Sequence, residues 1–154
     1  MIARLRARLE RAGRERGAIS ALIVGLAVML LVLAGLVVDG GNAINARAKI
    51  TDDAEQAARA AANQINIEVL RATGVVTIME SEARAAAVAY LTGLDPPYDP
   101  GNIDVDVDEL TNEVEVFVID TVDTQLLTLV FINSFPVQGR ATSRPAAGIV
   151  VEIL

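Results

Sequence analysis

The sequence predicts an α+β protein: an N-terminal transmembrane helix and a long Ala-rich helix, followed by a small antiparallel sheet. Three observations carry this. A 21-residue apolar run, Ala18–Val38, holds one polar side chain, Ser20. Alanines recur at spacings of three and four through the next thirty or so residues. Strict Val/acid alternation then begins at Ile103. Periods of 3.6 and 2 mark one face of a helix and one face of a strand.

The basic segment 1–17 comes first. It carries six Arg (Arg4, Arg6, Arg8, Arg11, Arg14, Arg16) against Glu10 and Glu15. A basic flank beside a span stays cytoplasmic, so the N-terminus is expected inside a cell membrane and residues 39–154 outside. The span itself, 18–38, is about 32 Å long as a helix, close to the hydrocarbon thickness of a bilayer. Gly25 and Gly35 within it suit a membrane helix better than a soluble one. A cleaved signal would have a shorter apolar core with a small-residue cleavage site close behind. Here Asp39-Gly40-Gly41-Asn42 follows. Paired glycines weaken a helix interior, so a break is expected there, with Asn42 capping a fresh start.

The Ala-rich region, 39–94, is read as two helices. The first runs from Asn42 to about Ala72, with Ile50, Ala54, Ala57, Ala58, Ala61, Ile65 and Val69 on one face. Asp52, Asp53, Glu55, Arg59 and Asn63 lie opposite. A stripe of Ala54, Ala57, Ala58 and Ala61 is thin and flat, suited to close packing against another helix or a sheet. The second helix is expected from about Val76 to Thr92, with Gly93 at its C-terminal cap.

The β region, 95–154, opens with a turn-forming loop holding Pro96, Pro97 and Pro100. Ile103–Asp108 and Glu113–Phe117 alternate Val with acid, and Leu110–Asn112 between them fits a hairpin turn. Thr121–Phe131 is ambiguous and reads best as a short helix. A third strand follows from about Phe135 to Ser143, and Ile149–Leu154 reads as a final short strand.

Composition excludes several chemistries. The chain has no Cys and no His. Thiol nucleophiles, zinc-thiolate sites, disulfides and imidazole bases are therefore ruled out. The formal charge is −7, with −11 on residues 39–154, so no nucleic-acid partner is expected. The Arg cluster at 1–17 reads as topology and anionic-lipid contact. Twelve Arg against Lys49 reads as the codon bias of a high-GC bacterium.

The acids Asp104, Asp106, Asp108, Glu109, Glu113 and Glu115 lack the glycine-containing loop of a calcium site. They read as a solvated strand face, with a weak cation site as the alternative. No catalytic, metal or cofactor residues are assigned, and no enzyme activity is expected.

Several residues fall into a known pattern. Arg16-Gly17 precedes the span, Val38-Asp39-Gly40-Gly41 ends it, and Arg47-Ala48-Lys49-Ile50-Thr51 follows at a fixed distance. The stretch Ala54-Glu55-Gln56-Ala57-Ala58-Arg59-Ala60-Ala61-Ala62 comes next. This resembles the TadG-like N-terminal region of the TadE/TadG-type proteins of tight-adherence (Flp) pilus systems, over about residues 16–62. Asp39 matches the motif Asp, Gly41 its Gly, Arg47 its Arg and Ile50 its Leu. Glu55 stands for Asp, Thr51 for Gln, Asp53 and Gln56 for Ala, and Arg59 for Leu.

Related pilins and TadE-like proteins are cut after a Gly, with Glu five residues on. Counting from Ala18, the fifth residue here is Leu22. The resemblance implies a pilin-like fold and a non-enzymatic minor pilin-like or assembly subunit, anchored in the inner membrane by one span. Its implied partners are other pilus or pilin-like subunits, the inner-membrane assembly platform and membrane lipid. The alternative is a single-pass sensor, or a ligand- or cation-binding protein, with an acidic extracytoplasmic domain.

Overall fold

A computed structural model describes the backbone of residues 2–145 and the side chains of residues 19–145. In chain order it contains α1 (Ile2–Ala62), α2 (Ile67–Thr73), α3 (Glu80–Thr92), β1 (Ile103–Asp108), β2 (Glu113–Asp123) and β3 (Ser134–Ser143). Single 3-10 turns occur at Pro100–Asn102 and Leu127–Val130. The arrangement is α+β, with a long apolar N-terminal helix and a three-stranded antiparallel sheet in the order β1-β2-β3. The expected strand Ile149–Leu154 lies outside the described residues.

The chain divides into two compact units. One comprises 1–41 with 124–133, and the other 42–123 with 134–154. Side chains of the Ala-rich region 39–94 and of the described β region share a single core. That core gathers Ile50, Ala54, Ala57, Ala58, Ala61 and Ala62 with Ile78, Ala83, Ala87, Leu91, Tyr98 and the inward strand residues Val105, Val114, Val116, Val118, Val137 and Ala141.

The strands follow their alternation. Val114, Val116 and Val118 are buried, while Asp104, Asp106 and Asp108 are exposed. Register pairs Asp106 with Glu115 and Asp108 with Glu113. Facing acids repel unless a cation intervenes. Here β3 and the residue after it supply the cations: Arg140 pairs with Glu115, and Arg144 with Glu113 at 2.6 Å. β2 runs six residues past the expected end at Phe117, because β3 pairs with it as far as Asp123.

Three helix boundaries differ from expectation. α1 continues through Gly40 and Gly41 without the break at Asp39–Asn42. A glycine costs a helix only about 1 kcal/mol, less than a helical stretch this long must supply to be interrupted.

The first Ala-rich helix ends at Ala62 rather than near Ala72. There Gln64–Asn66 pairs with Thr77–Met79: Ile65 bridges Ile78, Asn66 N–H donates to Thr77 O at 2.8 Å, and Met79 N–H to Gln64 O at 2.8 Å. Asn66 then caps α2 by accepting from Val69 N–H at 3.0 Å. The same pairing holds residues 77–79 extended, so α3 begins at Glu80 and not at Val76. Long-range pairing has overridden a helical period that continues through Ile65 and Val69. Gly93 does stand at the C-terminal cap of α3, in right-handed conformation.

Candidate functional site: the carboxylate at the end of the apolar helix

The first compact unit is built on the apolar stretch of α1. Every side chain from Ile19 to Leu31 is exposed, so the described residues of the unit leave most of this run uncovered. The helix is long and apolar enough to cross a membrane.

Its C-terminal end is different. Gly35 and Asp39, one turn apart, are both buried. The ten-residue connection between β2 and β3, Thr124–Asn133, covers them. A Cβ added at Gly35 would lie 3.0 Å from Leu127 Cδ2 and 3.2 Å from Leu126 Cβ. The missing side chain therefore makes the notch in which these two leucines rest.

Asp39 is 2 % exposed. A buried carboxylate is costly unless its charge is met by hydrogen bonds. Three backbone N–H groups meet it: Gln125 donates to Oδ1 at 2.9 Å, Leu126 to Oδ2 at 3.0 Å and Leu127 to Oδ2 at 2.7 Å. These groups open the 3-10 turn Leu127–Val130, where unpaired donors point outward and favour negative charge. Asp39 thus caps a turn 86 to 88 residues further along the chain. The connection also closes on itself. Thr124 N–H donates to Asn133 O at 2.9 Å, Ile132 N–H to Leu127 O at 3.1 Å, and the Thr124 hydroxyl to Ile132 O.

The other two motif residues are each described in their own unit. Gly41 is partly exposed, with open space where a side chain would stand. Arg47 is exposed and belongs to the second compact unit. It lies on the rim of an open groove of about 530 Å³, with Ile44, Ile119 and Phe135 among its other walls. Its carbonyl accepts from the Thr51 hydroxyl at 2.9 Å.

The stripe Ala54, Ala57, Ala58 and Ala61 is fully buried in the second unit's own core. The surface facing it belongs to this chain. Flatness has its use there: a Cβ on Gly139 of β3 would stand 2.7 Å from the backbone of Ile50 and Thr51.

Sequence reading missed the three N–H donors and the Gly35 notch. Backbone donors carry no residue signature. The visible signal was a run without charge, TQLLTLVFIN from Thr124 to Asn133, in a stretch that read ambiguously as a short helix. Among the described residues, no group of three or more acids gathers as a metal ion would require.

A carboxylate buried under three donors is arranged to hold a segment in place rather than to exchange protons. The fold and this site describe a class: an α+β protein whose motif acid ties a distant connection to the end of the apolar stretch of its long N-terminal helix. Residues 17–64 match the family model of Flp pilus-assembly TadE/G-like proteins, the family that Asp39, Gly41 and Arg47 resemble. The match supports a role in Flp pilus assembly. No curated protein and no solved structure matches the chain.

Proposed function

We propose that this chain is a non-enzymatic, single-span subunit of a tight-adherence (Flp) pilus apparatus, acting as a minor pilin-like or assembly component. Ala18–Val38 anchors it in the inner membrane, with residues 1–17 cytoplasmic and the sheet-bearing region outside. The observation that carries the reading is the place of the matched motif: its Asp ends the apolar stretch of α1 and is buried as a structural tie. Family resemblance and geometry thus meet at one residue. The partners that follow are other pilus or pilin-like subunits and the membrane assembly platform, with lipid around the span.

Affinity purification of the full chain from detergent-solubilised membranes tests this. The major pilin or the pilus motor ATPase should co-purify, and deletion should reduce surface pili. Recovery without either, accompanied by a bound small ligand or cation, would replace this reading with the sensor or ligand-binding one.

A further inference from the structure

The connection Thr124–Asn133 exposes large apolar side chains beside the apolar helix. Leu129 is 69 % exposed and Phe131 92 % exposed, and Leu126 and Ile132 are also exposed. An apolar notch of about 140 Å³ lies between this connection and α1, lined by Val28, Leu31, Val32, Leu126, Leu129 and Val130. Val28 precedes Val38 by ten residues, about 15 Å along the helix axis. The connection therefore reaches alongside the half of the apolar run nearer Asp39, at levels where Leu30, Leu33, Leu36 and Val37 of the helix are exposed.

Three further features fit a segment out of water. Inside a bilayer, every backbone polar group must find a partner within the protein. At least seven of the ten backbone N–H groups from Thr124 to Asn133 do so, three of them on Asp39. The hydroxyls of Thr124 and Thr128 donate to the carbonyls of Ile132 and Gln125. The segment also carries no charged side chain. Phe131, moreover, holds a positive φ of 65°, a conformation that an aromatic residue adopts at a cost. Its N–H donates to Leu127 O and Thr128 O, while the ring is left almost wholly exposed, an apolar surface that water disfavours.

We propose that Thr124–Asn133 is a lipid-immersed collar. Leu126, Leu129, Phe131 and Ile132 enter phospholipid hydrocarbon beside the end of the span, and Asp39 supplies the buried acceptors that let the backbone enter with them. Lipid is the occupant because the apolar surface of the collar continues that of the helix, and the helix surface at the same level is uncovered on its other sides. The proposal rests on the reading of Ala18–Val38 as a membrane span.

The chain has no Trp, so a single introduced Trp reports one position. Leu129→Trp and, separately, Leu31→Trp are placed in the full chain and reconstituted into phosphatidylcholine–phosphatidylglycerol vesicles, with and without acyl-chain bromination. Leu31→Trp reads the span and Leu129→Trp reads the collar. Immersion predicts blue-shifted emission from both, largely lost in brominated lipid and little affected by aqueous acrylamide. Quenching of Leu31→Trp by bromolipid, with Leu129→Trp quenched by acrylamide alone, would overturn the collar and leave the span standing. Blue-shifted Leu129→Trp emission untouched by either quencher would overturn it in favour of cover by protein, such as a second copy. Absence of bromolipid quenching at both positions would remove the span reading and the collar with it.

Discussion

Asp39 and Tyr98 show how single buried groups are kept in place. Asp39→Asn retains one oxygen but turns an amide NH2 toward backbone N–H groups. At least one of the Gln125, Leu126 and Leu127 donors then loses its acceptor. The expected outcome is local: the Thr124–Asn133 connection becomes cleavable by protease in detergent micelles, while the sheet unit keeps its circular dichroism spectrum. Unchanged protection of that connection would show that the leucine contacts at Gly35 suffice.

Tyr98 is 7 % exposed, and its hydroxyl donates to Asp53 at 2.8 Å. Burial, the hydrogen bond to Asp53 and the negative charges of Asp53 and Asp120 together push its phenol far above the ordinary tyrosine value. The folded state therefore holds this proton more tightly than the unfolded state does. Stability is full below the unfolded value near pH 10 and falls as pH rises beyond it. Tyr98→Phe should cost about 1 kcal/mol at neutral pH and flatten that alkaline decline. Parallel declines in the two proteins, followed by thermal melts from pH 9 upward, would contradict the assignment.

At the scale of elements, the strands were legible and, apart from the Gly93 cap of α3, the helix ends were not. Val105, Val114 and Val116 alternate with acids because one face is buried and the other wet, and such alternation is local information. The hairpin turn was legible too, since Asn tolerates the positive φ found at Asn112. Its further role was not. Asn112 Oδ1 accepts from Ile78 N–H at 3.1 Å, and its Nδ2 donates to Val76 O at 3.0 Å. These bonds, with the Ile65–Ile78 bridge, decide where helix stops, and they join residues more than ten positions apart.

The alanine stripe was found, but its neighbour was not, because small side chains show that something comes close without showing what. Gly139 is the counterpart on β3. Gly139→Ala drives a methyl group into the backbone at Ile50 and Thr51, which cannot swing aside as a side chain would. The expected loss is about 1–3 kcal/mol, read as a lower melting temperature of the purified chain. An unchanged melting temperature would mean that α1 and β3 separate easily at this point.

For the whole molecule, charge is the long-range organiser. The net charge is +4 over 1–17 and −11 over 39–154, on either side of an uncharged run. On the proposed reading, this sets the orientation. A single cysteine replacing Thr111 should react with a membrane-impermeant maleimide on wall-permeable cells, and one replacing Ala7 should react only after lysis. The opposite pattern would invert the topology. The site was half legible at this scale. Asp39 stood out at the end of the run, but its donors lie 86 to 88 residues away. No local period, cap or turn rule connects residues so far apart.

That separation has a consequence for synthesis. Asp39 is made long before Gln125, Leu126 and Leu127. Until β2 and β3 have paired, its carboxylate stands uncapped at the rim of the apolar helix and must stay hydrated. A chain stalled or cut before Thr124 keeps that hydrated charge permanently. A finished chain replaces it with an apolar rim. The tie between the apolar stretch and the connection therefore cannot form before the chain has been made as far as Leu127.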